Sequence, residues 1–136
     1  MKRVFFIFSM VVALLLVGLP ADAETTDIMD GQIGKYKIVM ELDFKDNGKV
    51  TGWYYYKSKG PSHKISLSGS YRDSGVNSGY NYNVDLTETV NGKITGYFKG
   101  KYLCGYASDI QTFIYLMDGT WSSPKGNKLE FGVGNY

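Results

Sequence analysis

The feature that most constrains this chain is strict two-residue alternation broken by tight-turn residues. In Tyr36-Lys37-Ile38-Val39-Met40-Glu41-Leu42-Asp43-Phe44 every even position is apolar and most odd positions are charged. A period of two puts one set of side chains on each face of an extended strand, so this segment reads as a half-buried β-strand. Asp46-Asn47-Gly48 follows, where Asn and Gly tolerate positive φ, and the chain returns through Lys49-Val50-Thr51-Gly52-Trp53-Tyr54-Tyr55-Tyr56.

The pattern recurs. Leu42, Asn47, Gly48, Lys49, Val50, Thr51, Gly52, Trp53 and Tyr54 match Leu86, Asn91, Gly92, Lys93, Ile94, Thr95, Gly96, Tyr97 and Phe98 at a constant offset of 44 residues. A gapless match at one offset favours duplication of a hairpin unit over convergence on the same hairpin chemistry. Further strands are expected over His63–Tyr71, Tyr80–Thr89, Gln111–Trp121 and Leu129–Val133, with Ile28–Ile33 as an additional candidate. Phe113, Tyr115 and Met117 oppose Ile114 and Leu116, which predicts a strand covered on both sides. Arg72–Gly79 reads as a loop because it is rich in Ser, Gly and Asn, and Leu103–Asp109 reads as a longer connection.

Helix signals are nearly absent beyond residue 24. The expected fold is therefore all-β, a single small antiparallel up-and-down barrel of seven or eight strands, with a β-sandwich as the alternative. Closure hides the two edges that an open sheet would expose. Gly52, Gly69, Gly96 and Gly100 suit the coiling a small barrel needs.

Register decides which aromatics face inward. A three-residue turn at Asp46–Gly48, with Gly48 at a positive-φ bulge, sets Phe44 opposite Val50, Leu42 opposite Gly52 and Met40 opposite Tyr54. Tyr54 and Tyr56 then face in, and Trp53 and Tyr55 face out. A two-residue turn reverses every side chain.

Residues 1–23 carry Lys2 and Arg3, an apolar run from Val4 to Leu19, and Ala21-Asp22-Ala23. These are the three regions of a secretory signal peptide, which predicts cleavage before Glu24, a barrel domain over 24–136, and export to the periplasm or the medium. The remaining 113 residues hold 13 Lys and Arg and 12 Asp and Glu, a net charge of +1. That balance argues against nucleic acid as a partner. No later segment is apolar and long enough to span a bilayer.

Gly48-Lys49-Val50-Thr51-Gly52-Trp53-Tyr54 and Gly92-Lys93-Ile94-Thr95-Gly96-Tyr97-Phe98 resemble the Thr-Gly-aromatic hairpins of avidin-like barrels. They are also similar to those of small exported bacterial β-barrel proteins of no assigned function, which share a late Gly-Thr-Trp such as Gly119-Thr120-Trp121. The resemblance implies that Tyr54 and Phe98 face the barrel interior, at the position where a Tyr touches ligand in the avidin family. Phe98 lacks the hydroxyl, and the family's other polar contacts have no counterpart, so biotin is not the implied ligand.

The signatures of catalysis are missing. His63 is the only histidine, so His-rich metal sites are excluded, and its place beside Pro61 reads as an exposed turn. Glu88 replaces Phe44 in the repeat and reads as a solvated residue beside a turn. No cofactor is expected. Cys104 is the only cysteine, either a small buried hydrophobe or half of an intermolecular disulfide.

The functional expectation is an exported, non-catalytic binding module that recognises a protein, glycan or small molecule through Trp53, Tyr54, Tyr55, Tyr97 and Phe98. Trp53, Tyr55 and Tyr97 would form an outer aromatic stripe. The alternative is an inhibitor of an extracellular hydrolase, of lysozyme or protease type, presenting Arg72–Gly79 or Leu103–Asp109 to a cleft.

Overall fold

The computed structural model describes residues 25–75 and 82–135. The expected signal peptide lies outside them, as does the second half of the expected Arg72–Gly79 loop, whose first two residues instead extend a strand, Arg72 pairing with Asn83 and Asp73 with Tyr82. Eight strands follow one another: β1 (Thr25–Ile33), β2 (Tyr36–Phe44), β3 (Lys49–Tyr56), β4 (Ile65–Asp73), β5 (Tyr82–Val90), β6 (Lys93–Ala107), β7 (Thr112–Ser122) and β8 (Lys128–Gly134). Each pairs antiparallel with the next. The barrel closes where β1 meets β8, with Gly31 opposite Val133 and Ile33 opposite Phe131. It is thus the up-and-down barrel that the alternation implies, and Ile28–Ile33 is part of its first strand.

The first hairpin adopts the three-residue register. Phe44 pairs with Val50, Leu42 with Gly52 and Met40 with Tyr54. Gly48 has φ of 85°, the left-handed conformation that the bulge demands of its last residue. The second hairpin departs from the first despite the matching sequence. Asn91 and Gly92 have φ of 52° and 78°, a two-residue turn between paired Val90 and Lys93. A bulge then places Glu88 opposite Gly96 but Thr89 opposite Ile94. Leu86 consequently faces Phe98, whereas its counterpart Leu42 faces Gly52. The extra residue absorbed at the bulge is Thr95, and this local change builds the site described below.

Alternation fills the interior. Met29, Ile33, Ile38, Met40, Leu42, Val50, Tyr54 and Met117 are fully inaccessible, and Leu67, Val84, Leu86, Phe98, Phe131 and Val133 nearly so. Outward positions carry hydroxyls and charges, among them Thr51, Ser66, Ser68, Asp85, Lys99 and Lys101. This apolar-in, polar-out arrangement is the reverse of a barrel that faces lipid. Among the described residues no helix is long and apolar enough to cross a membrane.

Glycine sets how tightly the strands approach. A Cβ on Gly52 would lie 2.0 Å from the Glu41 carbonyl oxygen, and one on Gly69 would lie 1.8 Å from that of Asp85. Backbone cannot yield to such contacts, so these inward-facing glycines are what permits the strong coiling.

The expected connection at Leu103–Asp109 is corrected. β6 continues to Ala107 and pairs with β7 out to Thr112, through Leu103 with Leu116 and Tyr106 with Phe113. The described pairing of β5 with β6 ends at Tyr102 and that of β8 with β7 at Leu116. Among the described residues the distal halves of β6 and β7 pair with each other as a ribbon, and β7 also bonds Asn135 through Tyr115 and Phe113. Leu103–Asp109 shows no clear alternation of its own, and pairing with β7 is what holds it extended as far as Ala107.

Candidate functional site

The β5–β6 bulge creates a polar cluster at the mouth of the barrel where the two-residue turns lie. Glu88 continues the inward series of Val84 and Leu86, and its side chain is only 5% exposed. This corrects its reading as a solvated residue. Three side chains from three other strands point at its carboxylate. The Tyr54 hydroxyl donates to Oε1 at 2.5 Å, Trp121 Nε1 donates to Oε1 at 3.0 Å, and Thr95 Oγ1 donates to Oε2 at 2.7 Å. Thr95 reaches inward because it is the bulged residue. Gly96 makes the space, since a Cβ there would lie 2.5 Å from Trp121 Nε1 and 2.9 Å from Glu88 Cδ.

A buried carboxylate is tolerated when hydrogen bonds replace its hydration. Here they tie β3, β5, β6 and β7 together. Burial raises the Tyr54 hydroxyl far above the usual tyrosine range, and the adjacent Glu88 carboxylate raises it further. Tyr54 therefore stays a neutral donor. Tyr56 packs against Tyr54 edge-to-face at 5.5 Å and is shifted upward mainly by its own burial.

The opposite mouth repeats the theme. Asp27 is 2% exposed and accepts the Tyr102 hydroxyl. Burial, then the charge of Asp27, push the Tyr102 hydroxyl well above its ordinary value. Phe44 lies 4.4 Å from Tyr102 and 5.3 Å from Tyr71, and Tyr82 lies 5.3 Å from Tyr71. Four rings thus line this end of the core.

The sequence-derived binding residues divide between the two faces. Tyr54 and Phe98 face inward and contact each other edge-to-face at 5.4 Å, and Phe98 packs on Phe131 at 5.0 Å. Trp53 and Tyr55 face outward and stack at 5.9 Å with planes 19° apart. Lys64 Nζ sits 4.1 Å from the centre of the Trp53 ring, a cation–π contact that occupies part of that ring. Tyr97 also faces outward, but it does not extend the same stripe. Trp53 pairs with Ser66 and Ser66 with Thr89, whereas Tyr97 pairs with Thr87. Two strands of Ser and Thr separate them, about 14 Å at ordinary strand spacing.

Cys104 is half-buried against the core. His63 lies in the exposed β3–β4 connection. Among the described residues no three His, Cys, Asp or Glu side chains gather as a metal set. Sequence reasoning missed Glu88 and Trp121 as a pair. The parity of Val84, Leu86 and Glu88 held the signal, since it assigns Glu88 to the inner face, but its donors lie 33 and 34 residues away.

No family model, curated protein or solved structure matches this chain.

Proposed function

We propose that this chain is an exported, non-catalytic binding module that recognises a macromolecule on its outer surface. The observation that carries this reading is the use already made of its inward aromatics. Tyr54 and Phe98 are 0% and 1% exposed, they pack on each other and on Phe131, and the Tyr54 hydroxyl is committed to Glu88. Recognition then falls to outward groups. The Trp53–Tyr55 pair offers rigid contact area with little side-chain entropy to lose, and the Ser and Thr hydroxyls between it and Tyr97 add polar contacts.

The test is capture from envelope and culture extract by the protein purified after export, alongside Trp53→Ala, Tyr55→Ala and Tyr97→Ala variants. Loss of a captured species in the Trp53 and Tyr55 variants supports the reading. Equal capture by all three removes these aromatics from recognition.

A second reading, inhibition of an extracellular hydrolase, is favoured by the ribbon formed from the distal halves of β6 and β7. A rigid hairpin end can enter a substrate cleft. Lysozyme and a serine protease assayed with and without the purified protein test it directly.

A further inference from the structure

The net charge of +1 over residues 24–136 conceals a separation of charge along the barrel axis. Up-and-down topology places the β1–β2, β3–β4, β5–β6 and β7–β8 turns at one mouth, the mouth that holds Glu88. Residues 34–37, 57–64, 91–94 and 123–130 make these four turns and their edges. They contain eight Lys and one acid, Glu130. All eight lysines are exposed. Among the described residues only Lys57 of the eight is engaged in an ion pair, with Asp30 at 3.0 Å. The described connections at the other mouth, residues 45–48, 72–75 and 108–111, hold two basic and three acidic residues. On the wall between the mouths lysines meet acids, since Lys99 lies 3.8 Å from Asp85 and Lys101 stands opposite Asp118. Eight strands about 4.8 Å apart and tilted about 40° close a barrel roughly 16 Å across, so the four turns lie within about two Debye lengths of one another and act as one positive face.

Apolar side chains are interleaved with these lysines. Lys35 is followed by Tyr36, Lys93 by Ile94 and Lys128 by Leu129. Tyr36 is 51% exposed, Ile94 50% and Leu129 39%. Three of the four turns thus present a cation and an apolar side chain together. Exposed apolar groups elsewhere have acids for neighbours instead. Ile28 stands opposite Glu41 on the wall. Leu103, Tyr106 and Ile110 belong to the β6–β7 hairpin, where the one charge between residues 103 and 112 is Asp109.

We propose that the lysine-rich mouth docks on the surface of a bilayer that contains anionic phospholipid. This goes beyond recognition by Trp53 and Tyr55 and uses a different surface. The chemistry selects the occupant. A soluble polyanion would engage the ammonium groups and leave Tyr36, Ile94 and Leu129 in water. A neutral bilayer would take the apolar groups and leave the cations unmatched. An anionic headgroup layer satisfies both, because lysines reach phosphate along flexible stems while apolar groups between them sink toward the acyl boundary. Arg72 is the only arginine beyond residue 24, so this mouth offers point charges and no bidentate forks. Point charges suit a laterally mobile layer of headgroups, whereas planar forks suit phosphates held in fixed geometry. The polar outer wall keeps the rest of the barrel out of the hydrocarbon.

The test floats the protein purified after export with vesicles of phosphatidylcholine, alone or mixed with phosphatidylglycerol. The expected result is flotation with the anionic vesicles only, falling as NaCl is raised. A lysine near an anionic surface is worth about fivefold in affinity, so Lys93→Gln/Lys128→Gln should weaken partitioning about 25-fold. Ile94→Ser/Leu129→Ser should weaken it at least about fivefold, with the same salt dependence as the parent. Lys99→Gln/Lys101→Gln makes the same charge change on the wall and should stay within about twofold of the parent, because its lysines lie beyond close reach of the surface. All six positions are exposed, and each variant should melt like the parent. Flotation with neither vesicle, equal flotation with both, or equal losses from the mouth and wall lysine pairs would overturn the proposal. Full partitioning of Ile94→Ser/Leu129→Ser, with displacement of the parent by polyphosphate, would overturn it in favour of a soluble polyanion. None of these outcomes bears on capture through Trp53 and Tyr55.

Discussion

Glu88→Ala isolates the internal role of the polar cluster. The substitution leaves three donors facing a vacancy. Tyr54 is completely buried, so its hydroxyl loses its acceptor with no water to replace it, at a cost of about 1–3 kcal/mol. Trp121 and Thr95 are half-buried and recover part of their loss from solvent, adding about 1 kcal/mol between them. Relief of the desolvated carboxylate offsets some of this. The net expectation is a destabilisation of about 1–3 kcal/mol, read as a lower urea midpoint at unchanged slope. Glu88→Gln keeps an oxygen for Tyr54 and Trp121, and the Thr95 hydroxyl can turn to accept, so it should cost about 1 kcal/mol. In a double-mutant cycle with Tyr54→Phe, the coupling should reach at least about 1 kcal/mol. A Glu88→Ala protein within about 0.5 kcal/mol of the parent, the range of an ordinary surface substitution, would refute the reasoning.

Three further outcomes follow from the same geometry. Tyr54, Tyr56 and Tyr102 have hydroxyls raised above 10, the ordinary tyrosine value, chiefly by burial. The unfolded chain therefore releases these protons first, so the contribution of these three tyrosines to stability should be level below about pH 10 and fall above it by about 1.4 kcal/mol per pH unit per residue. Tyrosinate absorbance should show Tyr54 and Tyr102 ionising only with unfolding, and their early titration in the folded protein would contradict this. Gly96→Ala should cost about 1–3 kcal/mol by overpacking and alter Trp121 fluorescence, because the new Cβ meets the indole nitrogen. Gly105→Ala should leave the melting temperature unchanged or slightly raised, because no atom lies within 4 Å of the added carbon.

Much of the architecture is legible locally. Asp46-Asn47-Gly48 fixes the first turn, and parity then assigns Phe44, Val50, Tyr54 and Trp53 to their faces without reference to the rest of the chain. The second hairpin shows where local reading stops. Asn91-Gly92 closes as a two-residue turn, and the shift this introduces is absorbed by a bulge at Thr95. The bulge is stabilised by the Thr95 bond to Glu88, and Glu88 in turn needs Tyr54 and Trp121. Those partners meet only because the barrel closes, so the hairpin sequence by itself carries no sign of them. The ribbon was obscured for a different reason. Leu103–Asp109 has no local alternation to mark it as a strand, and only its pairing with β7 keeps it extended, while Phe113 to Leu116 are half-buried and Met117 is buried.

Amide hydrogen exchange across the β1–β8 seam tests the central claim most directly, since closure sets the inward direction of Tyr54, Phe98 and Glu88. The account predicts that the seam's hydrogen-bonded amides, in Asp30–Ile33 and Phe131–Gly134, exchange as slowly as those paired between β2 and β3, near the rate set by global unfolding. Seam amides that exchange at the rate of an unprotected chain while β2 and β3 remain protected would mean an open sheet, and would contradict it.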